Sequence, residues 1–277
     1  MTGDGDEYEV YAIKYARHHR PAAANFMGGD PHDLADMPLD YFVWLVRGSA
    51  GDVVVDTGFD AAAARRRGRE LLRSPAEGLK ALGVEPAGVR DVVVTHMHYD
   101  HAGNDGLFPA ATYHVQDREM AHCTGRCMCH PFLRQPFEAD DVAAMVRRTF
   151  AGHTRFHDGE SQLAPGLTLH HIGGHSEGLQ VVRVRTRRGW VVLASDASHF
   201  YANMERGHPF PIAANVVDTL EGYDTLRRLA SSADHVIPGH DPLVLRRYPA
   251  PSPGLDGVVA RLDADPATGA QEEPRRE

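Results

Sequence analysis

Four metal-binding side chains lie within six residues in His96-Met97-His98-Tyr99-Asp100-His101, directly after the apolar run 91–95. Asp91-Val92-Val93-Val94-Thr95 is unbroken and largely β-branched, the pattern of a strand buried on both faces. Gly103 follows, and a glycine lets the backbone turn sharply where a strand ends. As mere capping groups, four such residues beside an apolar strand would be costly to bury without a partner. A loop can send alternate side chains to different sides, so His96 and His98 can serve one ion while Asp100 and His101 serve another. Imidazole and carboxylate suit zinc, and also iron, cobalt, nickel or manganese.

The same placement recurs three times. The apolar run 167–172 ends in Gly173-Gly174-His175, the run 190–194 in Ser195-Asp196, and the run 235–238 in Gly239-His240. Each alone reads as an ordinary turn. Together they make seven ligands on four strand ends. That is the set two ions need when one carboxylate bridges them and a position stays open for water.

Further strands are expected at 8–15, 41–46, 53–55 and 112–115, with a hairpin of 179–186 and 190–194 about Arg187-Arg188-Gly189. Helices are expected at 61–72, 75–82, 138–150 and 215–230, the last with Leu220, Tyr223, Leu226 and Leu229 at helical spacing. Strands interrupted by helices imply helices packed on sheets. No composition break divides the chain, so a single domain is expected over 1–263, followed by a polar, disordered tail at 264–277. Residues 20–38 have no period and form a loop long enough to carry function or a homodimer contact.

The formal charge of −9 speaks against nucleic acid as a partner, since phosphate binders carry a basic stripe. Arg65, Arg66, Arg67 and Arg69 form a short cluster that reads as a solvated helix face. The acidic, glycine-rich start is unlike a leader, and no apolar run reaches membrane-spanning length, so a cytoplasmic protein without a membrane partner is expected. Cys123, Cys127 and Cys129, flanked by His122 and His130, could suggest a second metal site; reduced thiols packed in a loop are the plainer reading.

The series His96-x-His98-x-Asp100-His101, then His175, Asp196 and His240, preceded by Val54-Val55-Asp56-Thr57-Gly58, resembles the metallo-β-lactamase superfamily over about residues 11–248. The resemblance implies an α/β fold, an αββα sandwich of two mixed β-sheets flanked by helices, with the metal site along one edge. It implies one ion, most often zinc, on His96, His98 and His175, a second on Asp100, His101 and His240, and Asp196 as the bridge. Asp196-Ala-Ser198, Asn203, Glu205, Pro209-Phe210, Gly174-His175-Ser-Glu-Gly178-Leu-Gln180 and the segment 38–46 are similar to the N-acyl homoserine lactonases.

Such an enzyme opens a small-molecule lactone with a hydroxide held between two ions, Asp100 passing a proton to the leaving alkoxide; on acyl homoserine lactones this is quorum quenching. One departure stands out. Those lactonases usually carry a tyrosine three residues after the bridging aspartate, where this chain has His199, and the nearest tyrosine is Tyr201. Either His199 or Tyr201 meets the substrate carbonyl, or the substrate differs. Phe26, Met27, Phe200 and Phe210 are candidates for an apolar wall. A thioesterase of the glyoxalase II type shares all the ligands but usually adds a basic helical region at its C-terminus. Hydrolases of other lactones, and a metal-binding protein without turnover, complete the alternatives.

Overall fold

The structure, a computed structural model, describes residues 6–267. The first sheet contains β1 (Glu9–His18), β2 (Leu39–Gly48), β3 (Gly51–Val55), β4 (Glu70–Leu71), β5 (Asp91–Val93), β6 (Thr112–Gln116) and β7 (Thr154–His157). The second contains β8 (Ser161–Ala164), β9 (Leu167–His171), β10 (Gln180–Thr186), β11 (Gly189–Ser195) and β12 (Val236–Pro238). The last strand, β13 (Val259–Arg261), returns to the first sheet beside β1. Both sheets are mixed. Strands β3, β5, β6 and β7 run parallel, as do β11 and β12, while β1, β2 and β3 are antiparallel neighbours.

Alternation along β2 explains the layering, because successive side chains of a strand point to opposite faces. Phe42, Trp44 and Val46 pack with Leu169, Val182 and Leu193 of the second sheet. Tyr41, Val43 and Leu45 pack with Ala63, Leu79 and Met145 from the helices Ala61–Arg67, Pro75–Ala81 and Ala139–Phe150. The helix Val216–Leu229 lays Tyr223 and Leu226 on the second sheet. The result is two mixed sheets face to face with helices outside, the αββα sandwich expected.

Buried Gln180 stitches the sheets together just beneath the strand ends. Its main-chain N–H donates to the Thr95 carbonyl at 3.0 Å. Its Nε2 donates to the Val94 and His114 carbonyls at 2.9 and 3.0 Å.

Some elements differ from expectation. The helix expected over 61–72 stops at Arg67, because Gly68 takes a left-handed φ of 64° and returns its N–H to Ala64 and Arg65. Glu70–Leu71 then pairs with β1 instead. Ala264 is buried and the Ala267 N–H donates to the Arg247 carbonyl at 2.7 Å, so the first residues of the expected disordered tail pack on the body. The rest of that tail, 268–277, lies outside the described residues. Among the described residues no helix is long and apolar enough to cross a membrane.

Asp141 sits in the first turn of Ala139–Phe150. Burial, and then Glu138, Asp105, Asp140 and Asp60, push its carboxyl up to about 7 from 3.8. With the folded value above the unfolded one, the native state holds its proton longer, so stability falls as pH rises through that interval. Asp141→Asn is therefore expected to raise the melting temperature by a few degrees at pH 8 and to change it little at pH 3.5. Equal melting at pH 8 would overturn this.

Candidate metal centre

The seven expected ligands converge at one end of both sheets. The segment after β5 carries His96, His98, Asp100 and His101; the ends of β9, β11 and β12 bring in His175, Asp196 and His240. All are buried. The ligand atoms of His96, His98, His175 and Asp196 lie within 4.8 Å of one another, and those of Asp100, His101 and His240 do likewise.

Asp196 faces both groups. Its Oδ2 lies 3.1 Å from His175 Nε2 and 3.8 Å from His96 Nε2. Its Oδ1 lies 2.9 Å from His240 Nε2 and 3.3 Å from His101 Nε2. Asp100 Oδ2 stands 3.6 Å from His101 Nε2 and 3.8 Å from His240 Nε2.

The imidazoles are gripped from behind. His175 Nδ1 donates to the Ile212 carbonyl at 2.8 Å, and His240 Nδ1 to the Asp40 carbonyl at 3.0 Å. His101 Nδ1 donates to Asp56 Oδ2 at 2.7 Å, and His96 Nδ1 meets Thr95 Oγ1 at 3.1 Å. A donor fixed at Nδ1 leaves the Nε2 lone pair turned inward, the form that ligates. Burial, and then neighbouring imidazoles, hold His96 and His98 well below the usual histidine range, so both are neutral. Burial works to raise the Asp196 carboxyl, but His199, His240, His101 and His175 around it hold it well below the usual range.

Among the described residues His96 Nε2, His101 Nε2 and Asp196 Oδ1 are buried and lack a hydrogen-bond partner. Each such orphan costs about 1–3 kcal/mol. Orphaned atoms from two strand ends turned to one space fit divalent cations, and the nitrogen and oxygen donors suit zinc or its neighbours.

The backbone is strained where it shapes this space. Asp56 and Ser195 are non-glycine residues at φ 62° and 46°, in the left-handed region. Asp56 is held there by its own carboxylate, which accepts from the Thr95 N–H at 2.7 Å as well as from His101. Gly239 precedes His240 because a Cβ at that position would stand 2.7 Å from Asp196 Oδ1.

One further residue organises the centre without having been foreseen. Glu119, fully buried on the helix Asp117–Thr124, accepts from the Met97 N–H at 2.7 Å through Oε1. Its Oε2 accepts from the Ser176 hydroxyl at 2.7 Å and the Gly178 N–H at 3.1 Å. It thereby ties the His96–His98 segment to the loop that holds His175. The available signal was its position just after β6, at the same sheet end as the ligands.

His199 reaches the centre, its Nε2 3.0 Å from Asp196 Oδ2 and its ring stacked on Phe210 at 3.7 Å. Its nitrogen also groups with the ligand atoms of Asp196 and His240. Tyr201 corrects the expectation. It opens the helix Tyr201–Arg206, its ring is buried in the core of the second sheet, and the Arg247 guanidinium covers it at 3.9 Å. Of the proposed wall residues Phe210 lines the metal cavity, whereas Phe26 and Phe200 are core side chains.

That cavity, about 310 Å³, is bounded also by Tyr41, Tyr99, Arg20, Arg67 and Arg69. A second cavity of about 260 Å³, walled by Phe132, Phe137 and Ile212, shares His98 and His175 with it. Arg65 and Arg66 are exposed as expected of a solvated face, but Arg67 and Arg69 turn inward. Burial pushes the Cys123 thiol up, and no cysteine joins a metal-binding group among the described residues.

The Metallo-beta-lactamase superfamily pattern matches residues 37–249. An N-acyl homoserine lactonase, AttM of Rhizobium johnstonii, is 28% identical over 250 residues, covering 87% of this chain and 85% of that protein. The AttM of Azorhizobium caulinodans, also named an N-acyl homoserine lactonase, is 32% identical over 177 residues, covering 59% of this chain and 62% of its own length. A crystal structure described as a quorum-quenching N-acyl homoserine lactone lactonase superposes with a TM-score of 0.68 at 23% identity, covering 84% of this chain and 92% of the other. At that identity the superposition speaks for the fold. With the pattern matched across most of its length and the ligand series gathered at the ends of two mixed sheets, the chain belongs to the metallo-β-lactamase superfamily.

Proposed function

We propose that the chain is a dinuclear metal-dependent hydrolase that opens lactone rings, with N-acyl homoserine lactones or close relatives as substrates. The observation that carries this reading is Asp196, whose two oxygens face two separate sets of imidazole nitrogens. On this reading His96, His98 and His175 hold one ion, Asp100, His101 and His240 hold the other, and Asp196 joins them. Zinc is the expected metal, and iron, cobalt or manganese suit the same donors. Divalent ions there would supply Lewis acidity toward an ester carbonyl and lower the pKa of water to about 7.

The protein groups have separate tasks. Asp100 lines the cavity beside His101 and His240 and is the carboxylate that passes a proton to the leaving alkoxide. Burial pushes His199 down to about 3, so it is neutral and donates to Asp196. Stacked on Phe210, it walls the site and replaces the phenol expected at this position with an imidazole. Phe132, Phe137 and Ile212 wall the adjoining cavity, a fitting place for an acyl chain kept away from water. Relatives named as N-acyl homoserine lactonases support the same substrate class.

The test combines metal analysis with a substrate panel. Purified protein is expected to carry about two ions per chain, to lose lactone hydrolysis on chelation and to regain it with zinc. One ion or none after zinc loading would contradict the dinuclear site. Turnover of glutathione thioesters without lactones would reassign the enzyme. Inactivity toward lactones, thioesters and phosphodiesters alike would remove the enzyme reading.

A further inference from the structure

We infer that Arg20 and Arg69 form an anion-binding subsite in the wall of the metal cavity, so that the favoured substrate carries a carboxylate away from the bond that is cleaved. The reaction rests on the lactonase reading above, while the binding of an anion stands apart from it.

Three arginines line this cavity, and they are not equivalent. Arg67 is satisfied by Glu138 at 2.9 Å and by the Gln135 and Phe137 carbonyls at 2.7 and 3.1 Å. Arg20 and Arg69 have no carboxylate within 4.0 Å among the described residues, although other Lys and Arg side chains there, Arg67 among them, form ion pairs.

Arg69 donates from Nε to the Tyr99 hydroxyl at 3.0 Å and from one terminal nitrogen to the Arg67 carbonyl at 2.6 Å. Its other terminal nitrogen has no protein partner among the described residues. Arg20 donates to the Ala24 carbonyl, and its buried Nε has no hydrogen-bond partner among the described residues. His18, 3.3 Å from Arg69, offers no counter-charge: burial, with Arg69 and Arg20, holds it down to about 4.

Aromatic rings connect both guanidiniums to the imidazoles of the candidate metal centre. Arg20 sits 4.9 Å from the centre of the Phe210 ring, which stacks on His199. Arg69 holds Tyr99, whose hydroxyl lies 3.3 Å from that of Tyr41, and the Tyr41 ring stands 5.0 Å from His240. Two cations without a salt-bridge partner in one wall repel each other, and a guanidinium fork matches a carboxylate. In a chain of net charge −9 such a pair runs against the overall balance. A neutral acyl homoserine lactone would leave it unanswered.

The test compares N-succinyl homoserine lactone with its neutral terminal amide on the zinc-loaded enzyme. The wild type is expected to favour the carboxylate about tenfold or more in kcat/KM, through KM, as suits a charge-assisted hydrogen bond. Arg69→Gln and Arg20→Gln should each bring that ratio toward one, and Arg69→Lys should retain part of it. Because Arg69 also braces Tyr99, melting curves and metal content accompany each variant, and Arg20→Gln supplies an independent reading.

A ratio near one in the wild type, or a ratio preserved in both glutamine variants, overturns the subsite. Calorimetric titration with glutarate separates the subsite from the lactonase reading. Glutarate binding lost in the variants, with neither lactone hydrolysed, supports the subsite and sinks the lactonase reading. Hydrolysis of both lactones at equal rates without glutarate binding does the reverse.

Discussion

Asp196→Ala is expected to lower bound metal from about two ions per chain to one or fewer and lactone turnover by about a thousandfold or more, several kcal/mol of lost transition-state stabilisation. Its carboxylate is the group within reach of both ligand sets, with His96, His175 and His199 near Oδ2 and His101 and His240 near Oδ1. Without it each ion keeps only three side chains, and the negative charge that offsets two neighbouring divalent cations is gone. Asp196→Asn separates charge from volume. It fills the same space and can still accept at one atom, so an intermediate loss of metal would assign the remainder to charge. Chelated wild type supplies the baseline, since stability that the metal confers must vanish there in every variant. Two retained ions with a rate within tenfold of wild type would remove Asp196 from between the metals.

Much of this centre was legible because it is written locally. Val92, Val93 and Val94 form an unbroken apolar strand end, and four candidate ligands follow it within the six residues 96–101. His175, Asp196 and His240 are distant in sequence, but each repeats the same grammar of apolar strand, small residue and ligand. Paired strands broken by helices implied helices packed on sheets, and the resemblance to the superfamily implied the αββα layering. What escaped was set by contacts that no local pattern encodes. Arg65, Arg66, Arg67 and Arg69 look alike in sequence, yet the left-handed Gly68 ends the helix and sends Arg69 toward Tyr99. Tyr201 and His199 lie two residues apart, and the helix start between them turns one into the core and leaves the other beside Asp196. The short strands β7, β8 and β13 carry too few apolar residues to show a period, and pairing with neighbours defines them.

Glu119 is the clearest case of a long-range organiser, and its replacement should be felt at the metals although it touches no ion. The helix that bears it, Asp117–Thr124, is polar enough to hide from a search for apolar period. Glu119→Ala would leave the Met97 and Gly178 N–H groups and the Ser176 hydroxyl without their acceptor, each orphan costing about 1–3 kcal/mol. Glu119→Gln keeps the volume but turns an NH2 against a main-chain N–H on one side or the other, since both carboxylate oxygens now accept from one. Because the tether spans the segments of His96, His98 and His175, zinc affinity is expected to fall about 10- to 100-fold, as for other groups that orient metal ligands. Activity should return in part when excess zinc is supplied to Glu119→Gln, which identifies a positioning residue. A lowered melting temperature with unchanged zinc affinity would instead make Glu119 a packing element of the fold alone.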